Sequence, residues 1–311
     1  MRSTTGIRLA VATISVCVVG LTGLAAPAQA RVVEAGDARC AATSSASHSD
    51  SARGDRRGGY GADTRHVTAD EQLRISREAR QLAKAKGGPA TAGVAVPVYV
   101  HVMAAADGTG NVTDEQVAQQ IAVLNTTFGG AESGTASQTG FTFALAGTDR
   151  FYNDAWHNDR SSSKYRKATR LGGADALNIW LVEFDYLGIA TFPWDYAKQS
   201  GVDGVRVNWD SVPGGSIPNY NLGETATHEV GHWLGLYHTF QGGCTETNDE
   251  VADTPAQSSP TNGCPDGNDT CALPGLDPIH NYMDYSYDSC YTEFTGGQTS
   301  RMQQMWTAYR A

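Results

Sequence analysis

The 311-residue sequence predicts an α+β fold: a sheet with helices on one side, followed by an irregular, disulfide-stapled C-terminal portion. Three observations predict it. Strand-like runs rich in β-branched residues recur between positions 94 and 209, with one amphipathic helix among them. A helical, histidine-bearing segment follows at 223–235. Beyond 240 the chain is rich in Gly, Pro, Asp and Cys and has few periodic runs, so little regular structure is expected there.

At the N-terminus, Arg2 and Arg8 precede the apolar run LAVATISVCVVGLTGLAA, and Ala28-Gln29-Ala30 follows Pro27. A charged, an apolar and a small-residue region in that order predict a secretory signal peptide over 1–30. The run is shorter than a membrane span and has no stop-transfer flank, so no membrane association is expected after its removal. Cys17 follows Val16, where a lipoprotein signal needs a small residue, which argues against a lipid anchor. The mature chain is therefore expected to be secreted and monomeric. The full sequence has a formal net charge of −10, which repels phosphates and anionic lipid and excludes nucleic acid as a favoured partner.

Residues 31–64 carry hardly a large apolar side chain and predict a flexible segment that cannot offset its own ordering entropy. Residues 68–86 predict a helix started by Thr68 and Glu71; only Leu73, Ile75 and Leu82 are sizeable and apolar, so it is expected to be mostly exposed. Gly87-Gly88-Pro89 ends it. The division expected is signal 1–30, propeptide 31–93 and catalytic domain 94–311, with maturation cuts at Arg56-Arg57 or Gly87-Gly88 as candidates.

Packed structure begins with the strand 94–103. Thr113 and Gln116 form a capping box, and Val117, Ile121, Leu124 and Phe128 follow at helical spacing. Strands are expected at 141–147, 177–184, 188–192 and 204–209, and a last helix at 297–309 with Met302, Met305 and Trp306 on one face. Once Cys17 leaves with the signal, five cysteines remain. Cys244, Cys264, Cys271 and Cys290 lie in the last quarter and read as two disulfides of an oxidising compartment, with three pairings open. Cys40 stands alone.

The chemistry is concentrated in HEVGHWLGLYH, residues 228–238. On a helix, His228 and His232 lie one turn apart on one face, so both imidazoles can reach one metal ion. Glu229 adjoins the first ligand, where it can take a proton from a water without ligating. His238 is six residues beyond His232 and would leave that face on a continuing helix. Gly235 lets the chain turn, and His238 then returns as third ligand. Three histidines leave one position open, as catalytic zinc requires, whereas structural zinc is closed by four protein ligands. Rival readings are a zinc hydrolase of non-peptide amides, which needs a closed pocket, and a non-catalytic binding module, which has no use for Glu229.

The full motif resembles that of the metzincin metallopeptidases, and Asn281-Tyr282-Met283-Asp284-Tyr285 resembles their methionine-containing turn. Within that group the chain resembles the pappalysin, or ulilysin-like, family, through GETATHEVGHWLGLYHTFQGGC (223–244), VADTP (251–255), GCP (263–265), DTC (269–271), HNYMDYSYDSC (280–290) and FTGGQTSRM (294–302). LGIATFP (187–193) and DGVRVNW (203–209) fit as well. The resemblance covers roughly 94–311 and implies a metzincin-like zincin: a twisted mixed sheet with a backing helix and an active-site helix, made as a zinc endopeptidase zymogen.

Several roles are implied with it. Met283 would pack beneath the metal, and Tyr285 would donate a hydrogen bond to the developing oxyanion. Gly188–Phe192 would be an edge strand that binds a protein or peptide substrate in extended form. The implied disulfides are Cys244–Cys271 and Cys264–Cys290. Calcium is implied in the irregular region, with Asp253, Asp266 and Asp269 as oxygen ligands. Cys40 would latch the zymogen as a thiolate on the zinc, although Arg39-Cys40-Ala41 departs from the usual Cys-Gly pattern. Apart from the resemblance, Asp288, just ahead of Cys290, is expected to place a carboxylate near the primed pocket and to favour Arg or Lys there.

Overall fold

The computed structural model describes residues 65–89 and 93–311; the expected signal peptide, residues 31–64 and Cys40 lie outside the described residues. The chain forms α1 (Ala69–Ala85), β1 (Val94–Ala104), α2 (Asp114–Phe128), β2 (Phe141–Tyr152), α3 (Asp154–His157), α4 (Ser162–Thr169), β3 (Leu177–Val182), β4 (Gly188–Ala190), α5 (Tyr196–Gln199), β5 (Val205–Asn208), α6 (Glu224–Trp233) and α7 (Gly296–Tyr309). The five strands make one sheet in the order β2-β1-β3-β5-β4. β1, β2, β3 and β5 run parallel, and β4 pairs antiparallel with β5, so the sheet is mixed and β4 forms an edge.

Side chains alternate across a strand, and the two faces of this sheet are covered differently. Val96, Val98 and Val100 of β1 with Ile179 and Leu181 of β3 meet Val117, Ile121, Leu124 and Phe128 of α2 and Val230 of α6 in the main core. Thus α2 is the backing helix and α6 shares its face. Its capping box at Thr113 and Gln116 forms as the sequence predicts. The opposite face is not bare: Met103 and Trp180 pack there with Tyr165 of α4 and Trp156 of α3. Helices therefore lie on both sides, where the sequence predicts one. The central strand β3 is accordingly buried along its whole length.

The region after α6 has little regular structure before α7 and is closed by two disulfides, Cys244–Cys271 and Cys264–Cys290. These are the pairs the resemblance implied. α1 is exposed over most of its length, as expected, but its inner face is covered. Leu73 is 43% exposed, but Ile75, Ala79 and Ala83 are buried, with Val67 just ahead of the helix. Ile75, Ala79 and Val67 join Phe192, Tyr237, Met305 and Ala308 in a second apolar cluster. Small alanines at helical spacing let the inner face approach closely, a fit invisible to a count of large side chains. Among the described residues, no helix is long and apolar enough to cross a membrane.

Candidate metal centre and cleft

Every residue of α6 is buried, which suits a helix wedged between the sheet and the disulfide-stapled region. His228 and His232 lie one turn apart, with their Nε2 atoms 3.1 Å from each other. The helix then stops in two hydrogen bonds, Gly235 N to His232 O at 2.8 Å and Leu236 N to Gly231 O at 3.0 Å. That pair is a Schellman turn, and Gly235 supplies its left-handed residue at φ +99°. The turn returns His238 to the same point, its Nε2 3.0 Å from that of His232.

Hydrogen bonds on the far side of the rings fix their tautomers. His228 Nδ1 donates to Tyr282 O at 2.6 Å and His232 Nδ1 to Leu236 O at 2.8 Å. With the proton on Nδ1, the Nε2 lone pairs face one another. Three imidazole nitrogens converging on one point match a zinc-type donor set with a position left for water or substrate. His238 stacks on Phe240, ring centroids 4.6 Å apart, which fixes its plane.

Glu229 is 0% exposed and follows the first histidine. Its carboxylate lies against β4: a Cβ built on Gly188 would stand 2.3 Å from Glu229 Oε1. The acidic group therefore abuts the edge strand. Tyr285 is buried with its ring 5.6 Å from His228 and 5.0 Å from His238. Met283 lies beneath α6, and a Cβ on Gly231 would meet its Sδ at 2.4 Å.

The turn carrying Met283 is tied to the segment carrying His238. Thr239 N donates to Met283 O at 3.2 Å, and Thr239 Oγ1 donates to Gln257 Oε1 at 2.8 Å. Gln257 Nε2 in turn donates to Asp284 at 3.0 and 3.1 Å. Burial pushes the Asp284 carboxyl up from its ordinary value, while hydrogen bonds from Thr261, Tyr285 and Gln257 pull the other way. Sequence reasoning passed over Gln257 and used Asp284 only as part of the turn. Asp284 lies between two residues already singled out, but Gln257 carried no signal.

Arg301 of α7 and Arg310, just past its end, satisfy carbonyls at the end of α6. Arg310 Nε donates to Trp233 O at 3.0 Å and Arg301 Nε to Gly235 O at 2.8 Å. Cations at a helix C-terminus also complement its dipole. Arg310 pairs with buried Asp203, which accepts from Trp233 Nε1 at 3.1 Å.

Asp253, Asp266 and Asp269, the expected oxygen ligands, do not form one close group among the described residues. Asp253 Oδ1 accepts from Thr295 Oγ1 and its Oδ2 from Gly297 N, both at 2.8 Å, so this carboxylate is engaged at the start of α7. Asp266 and Asp269 are exposed and do not converge with it. Among the described residues, the other group of close ligand types is Cys264, His280 and Cys290, whose two sulfurs form a disulfide. Asp288 is buried and accepts from Leu222 N at 2.9 Å, just ahead of α6.

Known proteins resemble this chain in sequence and fold. Residues 182–307 match the metallopeptidase family described as pregnancy-associated plasma protein-A. An extracellular metalloprotease of Neurospora crassa is 47% identical over 230 residues, 71% of this chain and 78% of the relative. Another from Verticillium alfalfae is 47% identical over 256 residues, 79% of this chain and 87% of the relative. Among solved structures, a Tannerella forsythia promirolysin mutant superposes with a TM-score of 0.65 at 29% identity, covering 78% of this chain and 89% of that one. Mature mirolysin in complex with a cleaved peptide superposes with a TM-score of 0.59 at 31% identity, covering 71% and 97%.

Proposed function

This chain belongs to the pappalysin family of metzincins and is a metalloendopeptidase, and from that premise we propose how its own residues carry the reaction. His228, His232 and His238 hold zinc, Glu229 is the general base, and Tyr285 donates to the oxyanion. The observation that carries the reading is the convergence of three Nε2 atoms, two of them fixed by Nδ1–H bonds to backbone carbonyls, beside the Glu229 carboxylate. Zinc bound there supplies Lewis acidity, polarising the scissile carbonyl and lowering the pKa of a water toward ~7.

The remaining steps belong to the protein. Substrate aligns along β4, whose position at the sheet edge leaves one side for an extended peptide. Glu229 takes a proton from the attacking water and returns it to the leaving amine. Tyr285 stabilises charge growing on the carbonyl oxygen. Asp288 gives the primed pocket a preference for Arg or Lys. Residues 1–30 direct export, which agrees with relatives named as extracellular, and the Cys40 thiolate keeps the zymogen latent.

The test is Glu229→Ala with zinc measured on the same sample. Zinc content stays at one per chain and turnover falls by about three orders of magnitude, within the range general acid–base catalysis contributes. Near-normal turnover in the zinc-loaded variant removes the general-base assignment.

A further inference from the structure

Helix α1 precedes residue 94, in the stretch whose sequence suggests a removable segment, yet it is built into the catalytic unit. Its burial is one-sided, toward a cluster that lies directly behind the histidines. Phe192 of that cluster meets the His232 ring edge-on, with centroids 5.7 Å apart. Tyr237, also in the cluster, immediately precedes His238.

Polar contacts grip α1 from three separate parts of the chain. Arg65, just ahead of the helix, bridges Glu71 and Asp195. Ser76 Oγ donates to Glu250 Oε2 at 3.2 Å, and Lys86 Nζ donates to Ala311 O at 2.6 Å. The most consequential contact is with Arg301, which is only 7% exposed. Its Nη1 donates to Ser76 Oγ at 3.4 Å and its Nε to Gly235 O at 2.8 Å. Its guanidinium lies over the Tyr237 ring, 4.6 Å from the centroid. One buried side chain thus joins α1 to the turn between His232 and His238. In that turn the Leu236 carbonyl accepts from His232 Nδ1.

We propose that α1 is a permanent buttress of the metal centre, that Arg301 is the positioning residue coupling it to the Gly235 turn, and that maturation to active enzyme stops before Arg65. The coupling rests on the assignment of His232 and His238 as metal ligands. Loss of α1 would bare the apolar face of Phe192 and Tyr237 and remove a hydrogen-bond acceptor from a buried cation. The turn that sets the spacing of two ligands would then lose its backing. Gly87-Gly88 is accordingly excluded as a cut that releases α1 from an active enzyme.

The test has two readouts. The full chain is taken to its active form, and the N-terminus and composition of the active species are read by intact mass. Residues 69–85 are expected in every active species; an active species without them overturns the buttress. Zinc release into a chelating dye is then followed for wild type, Arg301→Gln and Ser76→Ala. Arg301→Gln is expected to release zinc about ten-fold faster, the factor carried by one charge-assisted hydrogen bond, with kcat lowered and KM unchanged. Ser76→Ala removes only the hydroxyl and is expected to show a smaller acceleration, which keeps the test if Arg301→Gln does not fold. Arg74→Ala, on the outer face of α1, serves as the unchanged control. Wild-type release rates in both folded variants overturn the coupling alone. Wild type that binds no zinc overturns the ligand assignment and the coupling together.

Discussion

At the scale of single residues, the carboxylate of Glu229 and the backbone of Gly188 occupy adjacent volumes. A Cβ on Gly188 would stand 2.4 Å from Glu229 Cγ as well as 2.3 Å from its Oε1, so the whole end of the side chain would have to move. Misplacing a catalytic group by about 1 Å can cost on the order of a hundred-fold in rate. Gly188→Ala is therefore expected to lower kcat by about that factor while zinc content and melting temperature stay near wild type; steady-state kinetics with metal analysis check it. The sequence offers Gly188 only as the first residue of a short strand, because the clash involves a residue 41 positions away, and Gly231 is hidden likewise by Met283. The convergence of the three histidines, in contrast, was legible. The positions of His228, Glu229, His232, Gly235 and His238 are set by local helical geometry and one turn, which a spacing records directly.

At the scale of elements, the end of α6 decides where His238 goes. Gly235 sits at φ +99°, and a Cβ there would also meet Met305 Cγ at 2.6 Å. The left-handed conformation alone costs a side-chain-bearing residue about 1–2 kcal/mol. Gly235→Ala is expected to lower stability by at least that amount and to weaken zinc retention, measured by denaturant unfolding and chelator competition. Retention equal to wild type would mean that His238 does not depend on this turn. Strand positions followed from β-branched runs, and α2 and α6 fall within a residue or two of expectation. β2 runs on to Tyr152, beyond the expected 147, because Thr148-Asp149-Arg150 pairs with β1 at the sheet's margin, where polar residues are tolerated. α3, α4 and the buried face of α1 escaped for one physical reason: their stability comes from partners distant in sequence, not from a periodic pattern of their own.

At the scale of the whole molecule, the sheet and the irregular region perform different parts of one task. The sheet supplies the edge strand and the backing for α6, while the disulfide-stapled region supplies the turn bearing Met283 and Tyr285. Closing loops of 27 and 26 residues by disulfides contributes typically about 2–4 kcal/mol each, which suits a region with so little regular structure. The fold class was legible because its strand and helix signals are local. The fate of Asp253 was not, because the start of α7 that engages it lies more than 40 residues further along the chain. The edge strand β4 lies beside the Glu229 carboxylate, and the activity proposed there is metal-dependent cutting of extended peptide. The most direct measurement incubates the active chain with a proteome-derived peptide mixture and reads every new terminus by mass spectrometry, with and without a zinc chelator. Internal cuts that vanish with chelator and return with zinc, enriched for Arg or Lys after the scissile bond, are the predicted result. Intact peptides in the presence of the zinc-loaded chain, or cuts indifferent to chelator, would contradict the account.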